Sequence, residues 1–489
     1  MKAEALIVKE FRALLPAWTA GLVAIGAAFV SSSGWVLLLS ALGYAVAAIA
    51  LGVQTVGHEY TNRTVGLLLV QPVDRKRILA IKLVVLFCLL SVLGAAAWLA
   101  PFNAETWHRP WVWKHPTVAL LPLVAGFFIA PWITMVSRNP LAGVVFTASV
   151  PGMLMFGGEL IGIARFGVGH PDVDAFRDQF WLRAMILTVV AGAALTWRTF
   201  LRLEAIEGAG SDVQMPQWFS AERPAPRHPL WLLMWKELHL QQMTLVVVVL
   251  FCIGWATLSL LKDLVPAFAD APLVPVTVIY FVLLSVLIGS VASAEERNLG
   301  VVQWQMLLPM AAWQQWLVKV AVALGLAFLM GVALPILLNY LSPALDDFEI
   351  GRHWRKTAIM ITVLTSFSLY VSSLSGSAIR AMLLAFPLSI GALVLVAWIR
   401  AALFESTVAL TAGHGSALRS YSGQMEWMAV GLAALVVMSA LTLAGVNHRS
   451  IEGGFRRVAI QALWFVAVPL AGVLLFAGVL VAQILSGPA

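Results

Sequence analysis

His58-Glu59 opens as a zinc-binding helix does, with a histidine beside a general-base glutamate, but the second histidine of His-Glu-x-x-His would fall where Asn62 stands. No metal is expected there. A nucleotide phosphate needs Gly-x-x-x-x-Gly-Lys-Ser/Thr, and the chain has no Gly-Lys dipeptide. Three sets of acids and histidines remain: Glu105, His108 and His115; His170, Asp172, Asp174 and Asp178; Asp346, Asp347, Glu349 and His353. Each offers donors for a metal or an acid–base pair, yet all lie in hydrophilic connections, where solvation alone collects such residues. The expectation is a chain with no catalytic residue, metal or cofactor of its own.

The polar residues that carry information are those that recur. Glu59-Tyr60-Thr61-Asn62-Arg63-Thr64 continues through Leu67, Leu68 and Leu69 to Pro72 and, past Asp74 and Arg75, to Lys82; Glu296-Arg297-Asn298-Leu299-Gly300-Val301 continues through Met306, Leu307 and Leu308 to Pro309 and Lys319. Glutamate to proline is 13 residues and proline to lysine 10 in both copies. Upstream, Lys9-Glu10 and Lys236-Glu237 sit among apolar residues spaced to share one helical face. Each suits an elbow helix lying in the membrane interface. Ser137 to Pro151 and Ser373 to Pro387 are a further matching pair, each a short Ser-containing turn with one arginine. A plain loop could hold solvated charges, with Ser293 and Glu296 as a capping box and Asp74 as an N-cap. Such a loop has no reason to recur with fixed spacings.

The elements that must position these residues follow from composition. Of 489 residues 61% are apolar and 11% charged, against roughly a quarter charged in soluble domains. That excludes a water-soluble fold. A crossing needs about 20 mostly apolar residues, and runs of that kind fall at 14–30, 35–56, 78–100, 118–136, 142–163 and 182–200, then at 243–261, 273–292, 317–341, 357–374, 382–404 and 428–446, with a last one at 458–485. The reading is an all-α polytopic membrane protein of two parallel six-helix repeats plus one extra C-terminal transmembrane helix, about 13 spans in all. The boundaries are 1–207 for the first unit, 208–229 for a linker, 230–452 for the second unit and 453–489 for the additional helix. Most of the 31 Lys and Arg fall on one side of this arrangement, which places the N-terminus in the cytoplasm and the C-terminus outside. The formal charge of +7 comes in short clusters, as topology signals do, so no nucleic-acid partner is implied. Cys88 and Cys252 fall inside apolar runs and read as small fillers. Lys82 and Lys319 lie near the inner ends of their spans, where they are expected to snorkel. Gly157-Gly158 is either a break in the fifth run or a helix-packing pair.

Elbow, second-span glutamate, leucine-rich stretch, proline and later lysine together resemble the type-2 ABC transporter permeases. The resemblance covers both halves and leaves the last span outside it. It implies a bacterial inner-membrane exporter subunit that moves substrate outward by alternating access. It also implies that each loop is a coupling helix docked into a cytoplasmic ABC ATPase, present in two copies, which binds the ATP and Mg. The contact residues implied are Glu59, Arg63, Thr64, Leu68, Pro72 and Arg75 in the first loop, and Glu296, Arg297, Gly300, Met306, Leu307 and Pro309 in the second. Arg63-Thr64 departs from the family's Gly-Thr, whereas the second copy keeps Gly300 but has Val301. An ion-coupled secondary transporter, which should carry buried carboxylates, and a membrane-embedded enzyme using the loop acids are the alternatives.

Overall fold

Long apolar runs in a chain this poor in charge must satisfy their own backbone, and helices do so within one segment. The computed structural model describes residues 3–30, 34–70, 72–100, 120–167, 172–203, 229–264, 273–301, 310–341, 350–392, 417–448 and 455–486. All regular structure among them is helical. In chain order the helices are α1 (Ala3–Ala28), α2 (Gly34–Thr61), α3 (Val65–Leu69), α4 (Arg75–Trp98), α5 (Leu121–Ser137), α6 (Pro140–Phe166), α7 (Asp172–Leu201), α8 (Pro229–Leu240), α9 (Gln242–Leu264), α10 (Leu273–Leu299), α11 (Ala312–Leu341), α12 (Ile350–Leu374), α13 (Ala378–Ala392), α14 (Ala417–His448) and α15 (Phe455–Ser486). Nine of these are long and apolar enough to cross a membrane, and the other expected spans fall on shorter apolar helices such as Leu121–Ser137 and Ala378–Ala392. The protein is thus a multi-pass helical membrane protein.

The chain divides into two compact units, Met1–Pro229 with Leu245–Thr277, and Leu230–Thr244 with Val278–Ala489. Each is built around its second long helix. The apolar stretch of α2 is 89% buried and that of α10 83%, whereas no other crossing helix exceeds 61%. A helix apolar on every face must be enclosed, and small residues let neighbours close in. A Cβ on Gly52 would stand 1.7 Å from the carbonyl oxygen of Gly126 on α5, and one on Gly289 2.6 Å from that of Thr365 on α12. Gly52 and Gly289 each precede the repeat glutamate by two turns, so the same close approach recurs in both units.

One expectation needs correction, and two open alternatives are decided. The first elbow is not a separate helix: α1 runs unbroken from Ala3 to Ala28 with Pro16 inside it, whereas in the second copy α8 and α9 are distinct. The break there is held by Gln241, whose Nε2 donates to the Ile288 carbonyl at 3.0 Å while its Oε1 accepts from Thr244. Gly157-Gly158 does not interrupt α6; Gly158 instead makes room for the Phe180 ring, 2.6 Å from where its Cβ would be. Ser293 and Glu296 form no capping box, because α10 continues through both. Asp74 does cap α4, accepting from the Lys76 amide at 3.2 Å, and both Ser-containing turns are present, between α5 and α6 and between α12 and α13.

The last helix is docked on the second unit by a buried polar pair. Gln461 on α15 donates to Asn447 Oδ1 on α14 at 2.7 Å and accepts from Asn447 Nδ2 at 3.1 Å. Asn447 Nδ2 also reaches Ser373 on α12, and the Tyr370 hydroxyl donates to Gln461. Phe465 packs edge-on against Phe367 beside them. Away from water such amides must find one another, which fixes the rotation and depth of α15.

Candidate functional site

The repeat signature assembles in each unit into one cluster of two lysines and two glutamates, buried except for the partly exposed Lys9 and Lys236. In the first unit α1 brings Lys9 and Glu10, the last turn of α2 brings Glu59 and the second turn of α4 brings Lys82. Lys82 donates to Glu10 at 2.8 Å, to the Thr55 carbonyl at 2.9 Å and to Glu59 at 3.5 Å, engaging all three ammonium hydrogens. Lys9 donates to Glu59 at 2.6 Å, and the His58 ring lies 3.1 Å from the same oxygen. In the second unit α8 brings Lys236 and Glu237, α10 brings Glu296 and α11 brings Lys319. Lys319 donates to Glu296 and, at 2.7 Å, to the Ala292 carbonyl, with Glu237 at 3.6 Å. Lys236 pairs with Glu296 and with Glu237 at 3.1 Å.

The expectation that Lys82 and Lys319 snorkel is overturned, since both side chains have no exposure. Snorkelling is the outcome when water is the best partner within reach; here two carboxylates and a backbone carbonyl of the adjacent helix are nearer. Burying ions costs several kcal/mol each, which their attraction offsets only when the remaining hydrogen-bonding capacity is filled. The carbonyls of Thr55 and Ala292, each one helical turn before the glutamate, give each lysine a further acceptor, while Glu10 Oε2 and Glu237 Oε1 accept no hydrogen bond. Burial opposes the charge on Lys236, but Glu237 and Glu296 prevail and raise its pKa; burial likewise pushes the Glu237 carboxyl above its ordinary value, against the pull of Lys319.

Where each repeat helix meets its loop, the backbone turns left-handed at the same place. Arg63 has φ +55° and Gly300 φ +70°, four residues beyond Glu59 and Glu296. The next amides, of Thr64 and Val301, return to the carbonyls of Glu59 and Glu296 at 2.8 and 3.0 Å. This is the helix-ending geometry that favours glycine. Thr64 adds a hydroxyl bond to the Glu59 carboxylate, which Val301 has no group to copy.

The residues expected to face a partner divide. Glu59, Glu296 and Leu68 are buried, Leu68 in an apolar core with Leu6, Val56, Ile78, Phe200 and Leu203. Arg75 ties the loop to the end of α7 through the carbonyls of Leu201 and Leu203, both at 3.1 Å, and Arg297 reaches the Asn447 carbonyl at 3.3 Å. Arg63 and Pro72 are exposed, as are Leu67 and Val70 on either side of Leu68, at 70% and 83%. Met306, Leu307 and Pro309 lie outside the described residues, as do the loop sets at Glu105–His115 and Asp346–Glu349, His170, and the side chains of Asp172, Asp174, Asp178 and His353.

Sequence reasoning recorded Lys9, Glu10, Lys82 and their counterparts as landmarks and missed that they form one site. The equal glutamate-to-lysine spacing was the available signal. Glu10, His58 and Glu59 present ligand atoms within 4.8 Å of one another, as a metal site does. Lys82 puts its ammonium against both carboxylates of that trio, and Lys9 adds a second cation. Glu10 Oε2 and His58 Nε2 keep no hydrogen-bond partner, and the cluster joins three helices. No protein-family model, curated protein or solved structure matches this chain.

Proposed function

We propose that the chain is the membrane-spanning permease subunit of an ATP-binding-cassette exporter, with thirteen spans in two parallel six-helix units plus one, in the inner membrane of a bacterium with its N-terminus in the cytoplasm. A separate ATPase, bound in two copies at the loops after α2 and α10, holds the nucleotide and Mg and drives alternating access. The observation that carries this reading is the matching ion cluster at the root of each loop. A loop that relays force must be fastened to the helices it moves; each cluster joins the opening helix of its unit to the two helices that the loop connects. Apolar side chains of similar volume would hold those helices as well or better, so a duplicated buried cluster fits a mechanical role. Exposed Leu67 and Val70 beside buried Leu68 suit a short helix that lies in a groove of its partner.

Buried carboxylates are what an ion-coupled carrier would show, and Glu10, Glu59, Glu237 and Glu296 are buried. Each, however, has a lysine ammonium within hydrogen-bonding or ion-pair reach. A cation would meet no net negative charge. Purification of the tagged chain is expected to bring down a protein with a P-loop. The double substitution Leu67→Glu and Val70→Glu is expected to weaken that association at least about tenfold, the equivalent of roughly 1.4 kcal/mol, with membrane insertion intact. Uphill transport by the chain alone in liposomes, on an ion gradient without nucleotide, would overturn the proposal in favour of the carrier.

A further inference from the structure

At the loop end of the first unit, Tyr60 on α2, Arg138 just past α5, and Arg198, Thr199 and Arg202 at the end of α7 line a cleft of about 390 Å³. That lies within the roughly 300–1,000 Å³ of ligand pockets. Among the described residues no carboxylate pairs with any of these three guanidiniums. Arginine at a helix C-terminus is favoured by the local dipole, which accounts for one cation per helix. It does not account for three around one cleft, accompanied by a phenol and a hydroxyl that can both donate. Arg138 also holds φ +50°, a left-handed conformation that glycine or asparagine would take with less strain.

The apolar flank of the cleft completes the picture. Leu195, also in its wall, and neighbouring Trp197 and Val136 are exposed, on helices that carry membrane-crossing or apolar stretches. A tryptophan at the end of such a helix marks the headgroup level. Guanidiniums bind phosphate oxygens in pairs of parallel hydrogen bonds, and basic clefts between membrane helices suit lipid headgroups. We infer that this cleft is a binding site for the phosphate of an anionic phospholipid, whose acyl chains lie along Leu195 and Val136. The inference stands without the exporter reading. Met135 and Leu203 belong both to the cleft wall and to the core around Leu68, so an occupied cleft would brace the first loop.

The test is native mass spectrometry of the full chain from nanodiscs of equal phosphatidylglycerol and phosphatidylcholine. Preferential retention of phosphatidylglycerol is expected. The exposed pair Arg198→Gln and Arg202→Gln should reduce that retention roughly 25-fold, at about fivefold per arginine, and the corresponding lysine pair should restore most of it. Equal retention of both lipids by the wild type, or full retention by the folded glutamine pair, would overturn the inference. A second arm adds inorganic phosphate in phosphatidylcholine nanodiscs. A rise in Tm there that needs the arginines, without preference for phosphatidylglycerol, would identify a free anion as ligand and overturn the lipid assignment.

Discussion

The two loop junctions share a plan and differ in how each is finished. Both join two lysines, two glutamates and a carbonyl one turn before the repeat glutamate, and both turn left-handed four residues after it. In the first, Lys82 lies nearer Glu10 than Glu59, Thr64 clasps Glu59, and His58 stands beside it. In the second, Lys236 and Lys319 both centre on Glu296, and Glu295 occupies the place of His58. The Lys-Glu pair of the first junction sits on one continuous helix, α1, whereas the helix that carries the second pair, α8, ends just before Gln241. The charged fastening is the invariant of the repeat, while its caps and its opening helix are free to diverge.

Substitutions can break or sharpen that comparison. The largest effect is expected from Lys82→Met and Lys319→Met, each leaving two buried carboxylates without their central cation, at a cost of about 3–5 kcal/mol. Thermal melts of the detergent-solubilised chain should show similar losses for both; a loss confined to one unit would mean that the clusters are not equivalent. Next come Gly52→Ala and Gly289→Ala, expected to cost about 1–3 kcal/mol by overpacking. The former should cost more, because its Cβ would meet backbone at 1.7 Å against 2.6 Å, and equal melts would refute that ranking. Gln461→Leu strands the Asn447 amide in a buried setting and should cost about 1–3 kcal/mol, read as increased proteolysis of α14 and α15. Protection as in the wild type would show that the amide pair does not hold α15. The smallest effect has opposite signs in the two units: Arg63→Gly should stabilise by about 1 kcal/mol and Gly300→Arg destabilise by at least that much. Shifts of the same sign would mean that the left-handed turn is not what these positions select.

Much of this was legible in advance. Low charge and long apolar runs settled the helical membrane class: nine described helices are long and apolar enough to cross a membrane, and the other runs fall at least in part on shorter apolar helices. The resemblance counted Arg63 and Val301 as departures, and the backbone explains the first: arginine occupies the position where glycine is the low-strain choice. Lys82 was misread because hydropathy reports only depth along its own helix. Its burial depends on which helices stand beside it. For the same reason Leu68 was expected on the outside, although Leu67 and Val70 are the outward residues.

Amino-acid type and spacing alone determined the helical membrane character and the two matching glutamate-to-lysine spacings, because hydrophobic length and periodicity act along one segment at a time. Which of those residues meet was decided by tertiary structure. Glu10, Glu59 and Lys82 belong to three helices, and only the packing of those helices around α2 brings their charges within reach and removes the water that would otherwise keep them apart.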